Sequence, residues 1–193
     1  MCGRYWYDLH SEKLKQYREE ALENSEIRSK ELASGEIYPS NHIVAIGHSK
    51  DKIFPSVTRW GFESFKKGQL MINARSETVE EKQTFHKSFL ERRVVIPMSG
   101  FYEWSSEKEK YLFRGSEILY VGGLYRMHHP ESGPVAESII LTTKPNQAVK
   151  AVHDRMPLLI EESEIWSWLL DLDFARNKLK QAMPELSPAQ LIR

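Results

Sequence analysis

The chain reads as a mixed α+β domain built on a strongly bent or barrel-like antiparallel sheet with peripheral helices, and three observations lead there. From Ile43 onward, short runs rich in β-branched and aromatic residues follow one another between turn residues. Between and beyond them lie a few segments with apolar residues at helical spacing and charges elsewhere. With 193 residues, 40% of them hydrophobic, and no repeat, low-complexity tract or linker, the chain is expected to form a single domain, 1–193, with a core that needs no staple.

In chain order, Tyr5, Trp6 and Tyr7 beside Gly3 and Arg4 predict a short buried strand at the very start, where most chains fray. A helix follows from Ser11, with Leu14, Tyr17, Ala21 and Leu22 in register, ending by about Gly35 and open to a break at Asn24-Ser25. The β-rich runs are 43–46, 56–60, 70–72, 94–96, 101–104, 111–113, 118–121 and 138–141. Residues 77–92, with Val79, Phe85, Phe89 and Leu90, read as one helix that Ser76 could cap. Residues 144–152 predict a short helix, and 161–170 another, with Ile165, Trp168 and Leu169 on one side.

Composition excludes several classes. Lys+Arg and Asp+Glu balance at 27 each, which argues against polybasic binding of nucleic acid, where attraction to phosphate supplies most of the affinity. The longest nearly apolar run, 118–125, falls far short of the roughly 20 residues a membrane helix needs. Arg4, Asp8 and His10 interrupt any leader-like stretch, so no leader is expected. The single cysteine rules out an internal disulfide framework and a cysteine-rich zinc site, and the reducing cytoplasm is the expected compartment.

That cysteine is Cys2. Removal of Met1 would leave an α-amine, pKa about 7.7 to 8.0, beside a thiol near 8.5. The amine of such an aminothiol condenses with an aldehyde to an imine, and its own sulfur can then close a five-membered thiazolidine, a proximity gain no internal cysteine has. A frayed terminus with an incidental thiol is the plainer alternative. Glu103 sits in Gly100-Phe101-Tyr102-Glu103-Trp104, where strand alternation puts it beside Phe101, and an aromatic setting raises a carboxylate toward useful acid-base range; the alternative is a snorkelling edge-strand glutamate. His153, in His153-Asp154-Arg155-Met156-Pro157, falls in a helix-to-strand connection, as either a proton carrier or a hydrogen-bonded structural residue. Asn73-Ala74-Arg75-Ser76-Glu77 leaves a strand, so Asn73 and Arg75 either face a ligand or serve the turn. Trp60 could stack on a base or sit in the core. The other histidines, His128-His129 included, lack metal-ligand spacing, so no metal or cofactor is expected.

Taken together and in order, the Met-Cys-Gly-Arg start, Arg59-Trp60-Gly61, Asn73-Ala74-Arg75-x-Glu77, Phe101-Tyr102-Glu103-Trp104 and His153-Asp154-Arg155-Met156-Pro157 resemble the SRAP family of SOS response-associated peptidases, or abasic-site processing proteins. The resemblance implies a compact β-rich SRAP-type fold that binds single-stranded DNA and crosslinks to abasic sites. By position, Cys2 matches the crosslinking cysteine, with Asn73, Glu103 and His153 as its companions. Arg4, Arg75 and Arg155 match phosphate-contacting positions, Trp60 and Trp104 aromatic positions near the DNA, and Pro39 the one proline that carries over from the family's loop after the first helix. The implied partner is single-stranded DNA with an abasic site, handled by a monomer, with lyase activity through the imine as a side reaction.

Two other chemistries share a Met-Cys-Gly start: a glutamine amidotransferase with Cys2 as N-terminal nucleophile, and a peptidase with a Cys2–His153 dyad. A damage-binding module that never reacts is a further reading. With three or four phosphates met by Arg4, Arg75, Arg155 and Arg59, single-strand binding should weaken with salt at a log–log slope of only about −2 to −3. Titrating affinity against salt checks this: a slope near zero removes the groove, and a much steeper one enlists further basic residues.

Overall fold

A computed structural model describes residues 2–27, 29–50, 52–64, 68–130, 133–187 and 189–192. Its elements run β1 (Arg4–Tyr7), α1 (Glu12–Glu23), β2 (Gly35–Ile37), β3 (His42–Ser49), β4 (Lys52–Trp60), β5 (Phe62–Glu63), β6 (Leu70–Met71), β7 (Asn73–Arg75), α2 (Gln83–Glu91), β8 (Arg93–Met98), β9 (Gly100–Trp104) and β10 (Lys110–Phe113). They continue with β11 (Leu119–His128), β12 (Val135–Thr143), α3 (Gln147–Lys150), β13 (Met156–Pro157), β14 (Leu159–Ile160), α4 (Ile165–Leu170), α5 (Leu172–Lys178) and β15 (Gln190–Ile192).

The expected barrel is present. Strands pair in the cycle β4, β3, β8, β11, β12 and back to β4, so five strands close on themselves. Closure removes the open edges that a bent sheet would otherwise leave. The barrel is not wholly antiparallel: β12 runs parallel to β4 and to β7. Its wall is filled by branched side chains, Ile43, Val95, Ile96, Val121, Ile139 and Ile140 among them, all at most 1% exposed. A second, antiparallel sheet of five strands lies beside it in the order β15, β10, β9, β1, β2.

The chain start is an interior strand of that second sheet. Tyr5 pairs with Phe101 of β9 on one side and Ile37 of β2 on the other. Gly100, which opens β9, sits so near the neighbouring strand that a Cβ would lie 2.5 Å from the Phe113 carbonyl oxygen, so only glycine fits. Gly61, at φ +117, turns the chain out of β4 in a conformation that L side chains avoid.

Helices differ from the sequence expectation mainly in length. Ser11 caps α1 by accepting from Leu14 N–H, and the helix stops at Asn24. Among the described residues up to 37, a short 3₁₀ turn and then β2 follow, β2 pairing with the edge of β1 that β9 leaves open. α2 begins at Gln83, not Glu77: residues 77–82 stay in turns, with Glu77 and Glu80 drawn to Arg155 and Arg176, so Ser76 caps no helix. α5 was not anticipated, although Asp171 is its cap and accepts from the N–H groups of Asp173 and Phe174. No helix among the described residues is long and apolar enough to cross a membrane.

Arg93, 3% exposed, ties two helix ends to the barrel. Its guanidinium donates to the Phe89 and Leu90 carbonyls at the end of α2 and to the Trp168 and Leu169 carbonyls at the end of α4, at 2.6 to 3.0 Å. These are the carbonyls a helix leaves unpaired at its C-terminus, where a cation also complements the dipole. Replacement by methionine keeps the bulk but orphans four acceptors, three of them in buried bonds. Arg93→Met should therefore lower unfolding free energy by at least ~3 kcal/mol in urea titrations; a loss under 1 kcal/mol would mean that water replaces the guanidinium.

Candidate active site

Four segments far apart in sequence converge at the start of β1. Cys2 stands just ahead of β1 and is fully buried. Its carbonyl accepts a hydrogen bond from Asn73 Nδ2 at 2.9 Å, and its thiol points at the Arg4 carbonyl, 3.6 Å away. Asn73 comes from β7, which lies against β12, with Asn73 opposite Ile140. β12 also pairs with β13, Thr143 opposite Met156, and so sets the loop before β13 that carries His153. Glu103, 1% exposed, enters from β9, the strand that pairs with β1. His153 Nε2 stands 3.9 Å from Glu103 Oε2. That separation is too long for a direct hydrogen bond but lets both groups reach one reacting atom placed between them.

Burial sets the protonation pattern. It raises the Glu103 carboxyl to about 7, so the group can give or take a proton near neutrality. It raises the Cys2 thiol well above the ordinary thiol value, with the Glu103 charge adding to the effect, so sulfur rests as the thiol. It lowers His153, which therefore rests as neutral imidazole near pH 7. The Arg155 main-chain N–H donates to His153 Nδ1 at 3.0 Å, an arrangement that favours the ring proton on Nε2, toward Glu103, while the Asp154 carboxylate stands at the same distance from Nδ1. Asn73 Oδ1 is buried and has no hydrogen-bond partner among the described residues, so it is available to an amine or a sugar hydroxyl.

The positions matched to DNA contact distribute differently. Arg4 lies on the outer face of β1, with its guanidinium 4.2 Å from the Tyr38 ring centroid and 5.5 Å from that of Trp104. Lys110 joins them over Tyr102 at 4.0 Å, and Glu36 accepts from both Arg4 and Lys110, at 3.1 and 2.6 Å. Burial works upward on Glu36, but these two cations hold its carboxyl below the usual range. Pro39 is half-buried beside the exposed Tyr38. Arg75 is exposed at the end of β7 and has no ion-pair partner among the described residues. Arg155 is clamped by Glu77 at 2.6 and 2.8 Å, and Arg59 is bound to the buried Glu137.

Trp60 does not face the site. It is fully buried with its ring 5.3 Å from Tyr5, and Nε1 donates to the Ile72 carbonyl, so the core alternative describes it. Sequence reasoning missed Glu36, Tyr38, Lys110 and the role of Glu77. Only Glu77 carried a signal, by its place in the Asn73 motif. Glu63, His128 and Glu137 bring possible ligand atoms within 4.8 Å of one another. Arg126 and Arg59 already neutralise Glu137, which leaves no excess negative charge for a cation.

The fold and this constellation define a class with a known membership: the chain belongs to the SRAP family, SOS response associated peptidase, whose family model matches residues 1–191. It is 33% identical over 160 residues to abasic site processing protein YoqW of Bacillus subtilis (strain 168), covering 75% of this chain and 71% of that protein. It is 31% identical over 182 residues to abasic site processing protein YoaM of the same organism, covering 88% and 79%. Among solved structures, a protein from Bacteroides thetaiotaomicron superposes with TM-score 0.78 at 20% identity over 100% of this chain and 92% of its own. A phage-related protein from Bordetella bronchiseptica gives 0.73 at 22%, over 100% and 94%. These two share the fold.

Glu103 also has a consequence for stability. Its folded pKa, about 7, lies above the ordinary 4.5, so the folded state holds the proton more tightly. Stability is then full at acid pH and falls as pH rises from about 4.5 through 7. Glu103→Gln should match the wild type at pH 4 and be more stable at pH 8, by on the order of 2 to 3 kcal/mol. Thermal melts at the two pH values read this directly; equal melting at pH 8 would mean that the carboxylate is not penalised by its surroundings.

Proposed function

We propose that the protein captures abasic sites in single-stranded DNA through Cys2 as a reversible thiazolidine crosslink that shields the lesion. The single observation that carries the reading is the convergence of a terminal, buried cysteine with Asn73, Glu103 and His153. Membership in a family whose relatives are named abasic site processing proteins supports it. Met1, whose removal the chemistry requires, lies outside the described residues.

The steps follow from the groups present. An abasic deoxyribose opens to an aldehyde as its ring oxygen gains the proton carried on His153 Nε2, while Glu103 in its acid form passes its own proton to Nε2 and takes that of the anomeric hydroxyl, so that both groups end as they began. The neutral Cys2 amine adds to C1′. Glu103 in its acid form protonates the carbinolamine hydroxyl, water leaves, and the protonated imine forms. Glu103, now carboxylate, takes the thiol proton as sulfur adds to the imine carbon, and nitrogen ends as the neutral ring amine. No cofactor enters. A thiol kept protonated suits this order, because the amine attacks first and sulfur is needed only after the imine exists. Asn73 holds the Cys2 carbonyl and so aims the amine.

The cation and aromatic face of Arg4, Tyr38, Trp104 and Lys110 supports a path for the strand, with Arg75 open to a phosphate. Every step is reversible, and the imine gives access to β-elimination, so slow lyase activity is part of the same reading. The peptidase reading finds less support: a Cys–His dyad works through a thiolate, whereas here the thiol is held protonated and His153 stands by Glu103.

Incubation of Met1-free protein with single-stranded DNA carrying one abasic site should give a heat-stable shifted band on denaturing electrophoresis. Cys2→Ala should abolish it, and Cys2→Ser should leave only an imine trapped by borohydride. No band with the wild type overturns the capture reading, and a heat-stable adduct with Cys2→Ser overturns the role of sulfur. Glu103→Gln should slow formation about a hundredfold or more and remove the ionisation near pH 7 from the rate profile.

A further inference from the structure

We infer that Glu77 is a positioning residue of this site, which by clamping Arg155 decides which nitrogen of His153 carries the proton. The inference rests on the reading of His153 as the proton carrier.

Two groups compete for His153 Nδ1. The Arg155 main-chain N–H lies 3.0 Å away and can bond only to a lone pair. The Asp154 carboxylate, with Oδ1 also at 3.0 Å, can bond only to a proton. If the first prevails, the ring proton is on Nε2 and faces Glu103; if the second prevails, it is on Nδ1 and Nε2 faces the site as an acceptor. Asp154 is 86% exposed and screened by water, but a charged acceptor is a strong partner for an imidazole N–H. Whatever keeps residue 155 in place therefore selects the tautomer.

Arg155 is kept in place by its side chain. Glu77 takes both Nη atoms in a bidentate pair at 2.6 and 2.8 Å, and Nη2 donates as well to the Thr142 carbonyl at 2.7 Å. The Arg155 side chain is 11% exposed and Glu77 39%, so the pair is withdrawn from solvent on the arginine side. Thr142 belongs to β12 and Glu77 follows β7, so the clamp ties the His153 loop to the two strands that deliver Asn73. Arg155 also holds the Glu77 carboxyl down at about 2, which keeps the clamp charged at any working pH. Glu77 touches neither Cys2 nor the reacting carbon; it acts through Arg155. The same pairing explains why the turn at 77–82 does not join α2: a helical Glu77 would give up the guanidinium.

The test is the nitrogen spectrum of His153 in protein labelled with 15N-histidine, with melting curves as the check on folding. In the wild type Nδ1 should show the shift of an unprotonated nitrogen and Nε2 that of a protonated one. Glu77→Ala should move Nδ1 toward the protonated value, and Glu77→Gln, which keeps the size, should do so in part. Glu77→Ala combined with Asp154→Ala should restore the wild-type pattern, a rescue that general loosening of the fold would not give. Adduct formation at saturating abasic DNA should fall roughly tenfold to a hundredfold in Glu77→Ala and recover in the double variant. A protonated Nδ1 in the wild type, or an unchanged pattern in Glu77→Gln and Glu77→Ala, overturns the inference. Failure of the wild type to form any adduct overturns the capture reading instead and leaves the tautomer to be judged from the spectra.

Discussion

Everything at the site depends on one constraint: the strand that follows Cys2 lies inside a sheet. Ordering such a segment costs about 1 to 2 kcal/mol of backbone entropy per residue. β1 offsets that cost by pairing on both edges and burying Tyr5 and Tyr7, whose hydroxyl in the latter case donates to the Leu14 carbonyl at 2.6 Å. Trp60 serves the same end, since its ring supports Tyr5 from the core. The three aromatics after Arg4 divide accordingly: Tyr5 and Tyr7 anchor inward, while Trp6 lies over Gly35, whose φ of +74 suits glycine. Cys2, just ahead of this interior strand, is held near Glu103 and Asn73 by the sheet itself.

Charge balance has a structural counterpart. Three of the four arginines assigned to the DNA path are already paired with carboxylates: Arg4 with Glu36, Arg155 with Glu77, and Arg59 with Glu137. Zero net charge is thus local as well as global, with Arg75 the exception among these four. A phosphate arriving at Arg4 meets a site partly neutralised by Glu36, which limits long-range steering. The proposed capture by a covalent bond does not require strong electrostatic affinity, in keeping with the balanced composition.

The fold was legible where local pattern and tertiary demand coincide. Ser11 and Leu14 mark the start of α1, and the alternation in 101–104 does put Phe101 and Glu103 inward. It was illegible where distant partners decide. β2 is three residues long and pairs with the edge of β1 that β9 leaves open, and residues 77–82 leave a helical pattern because Arg155, 78 positions away, takes Glu77. The site divides in the same way: cysteine, asparagine, glutamate and histidine stood out by chemistry and order, whereas Glu36 and Lys110 became visible only once the sheet set them beside Arg4. Trp60 shows the converse, since nothing in a tryptophan before a glycine distinguishes a stacking surface from a core.

The parallel pairings of β12 have a further meaning in time. Antiparallel neighbours such as β3 and β4 are close in sequence, but β12 pairs with β7 and β4 across separations of 67 and 78 residues, Asn73 opposite Ile140 and Arg59 opposite Glu137. Long loops of this kind close late and make folding slow. Asn73 and the His153 loop are both set by β12, so the side chains around Cys2 come together only when the barrel closes.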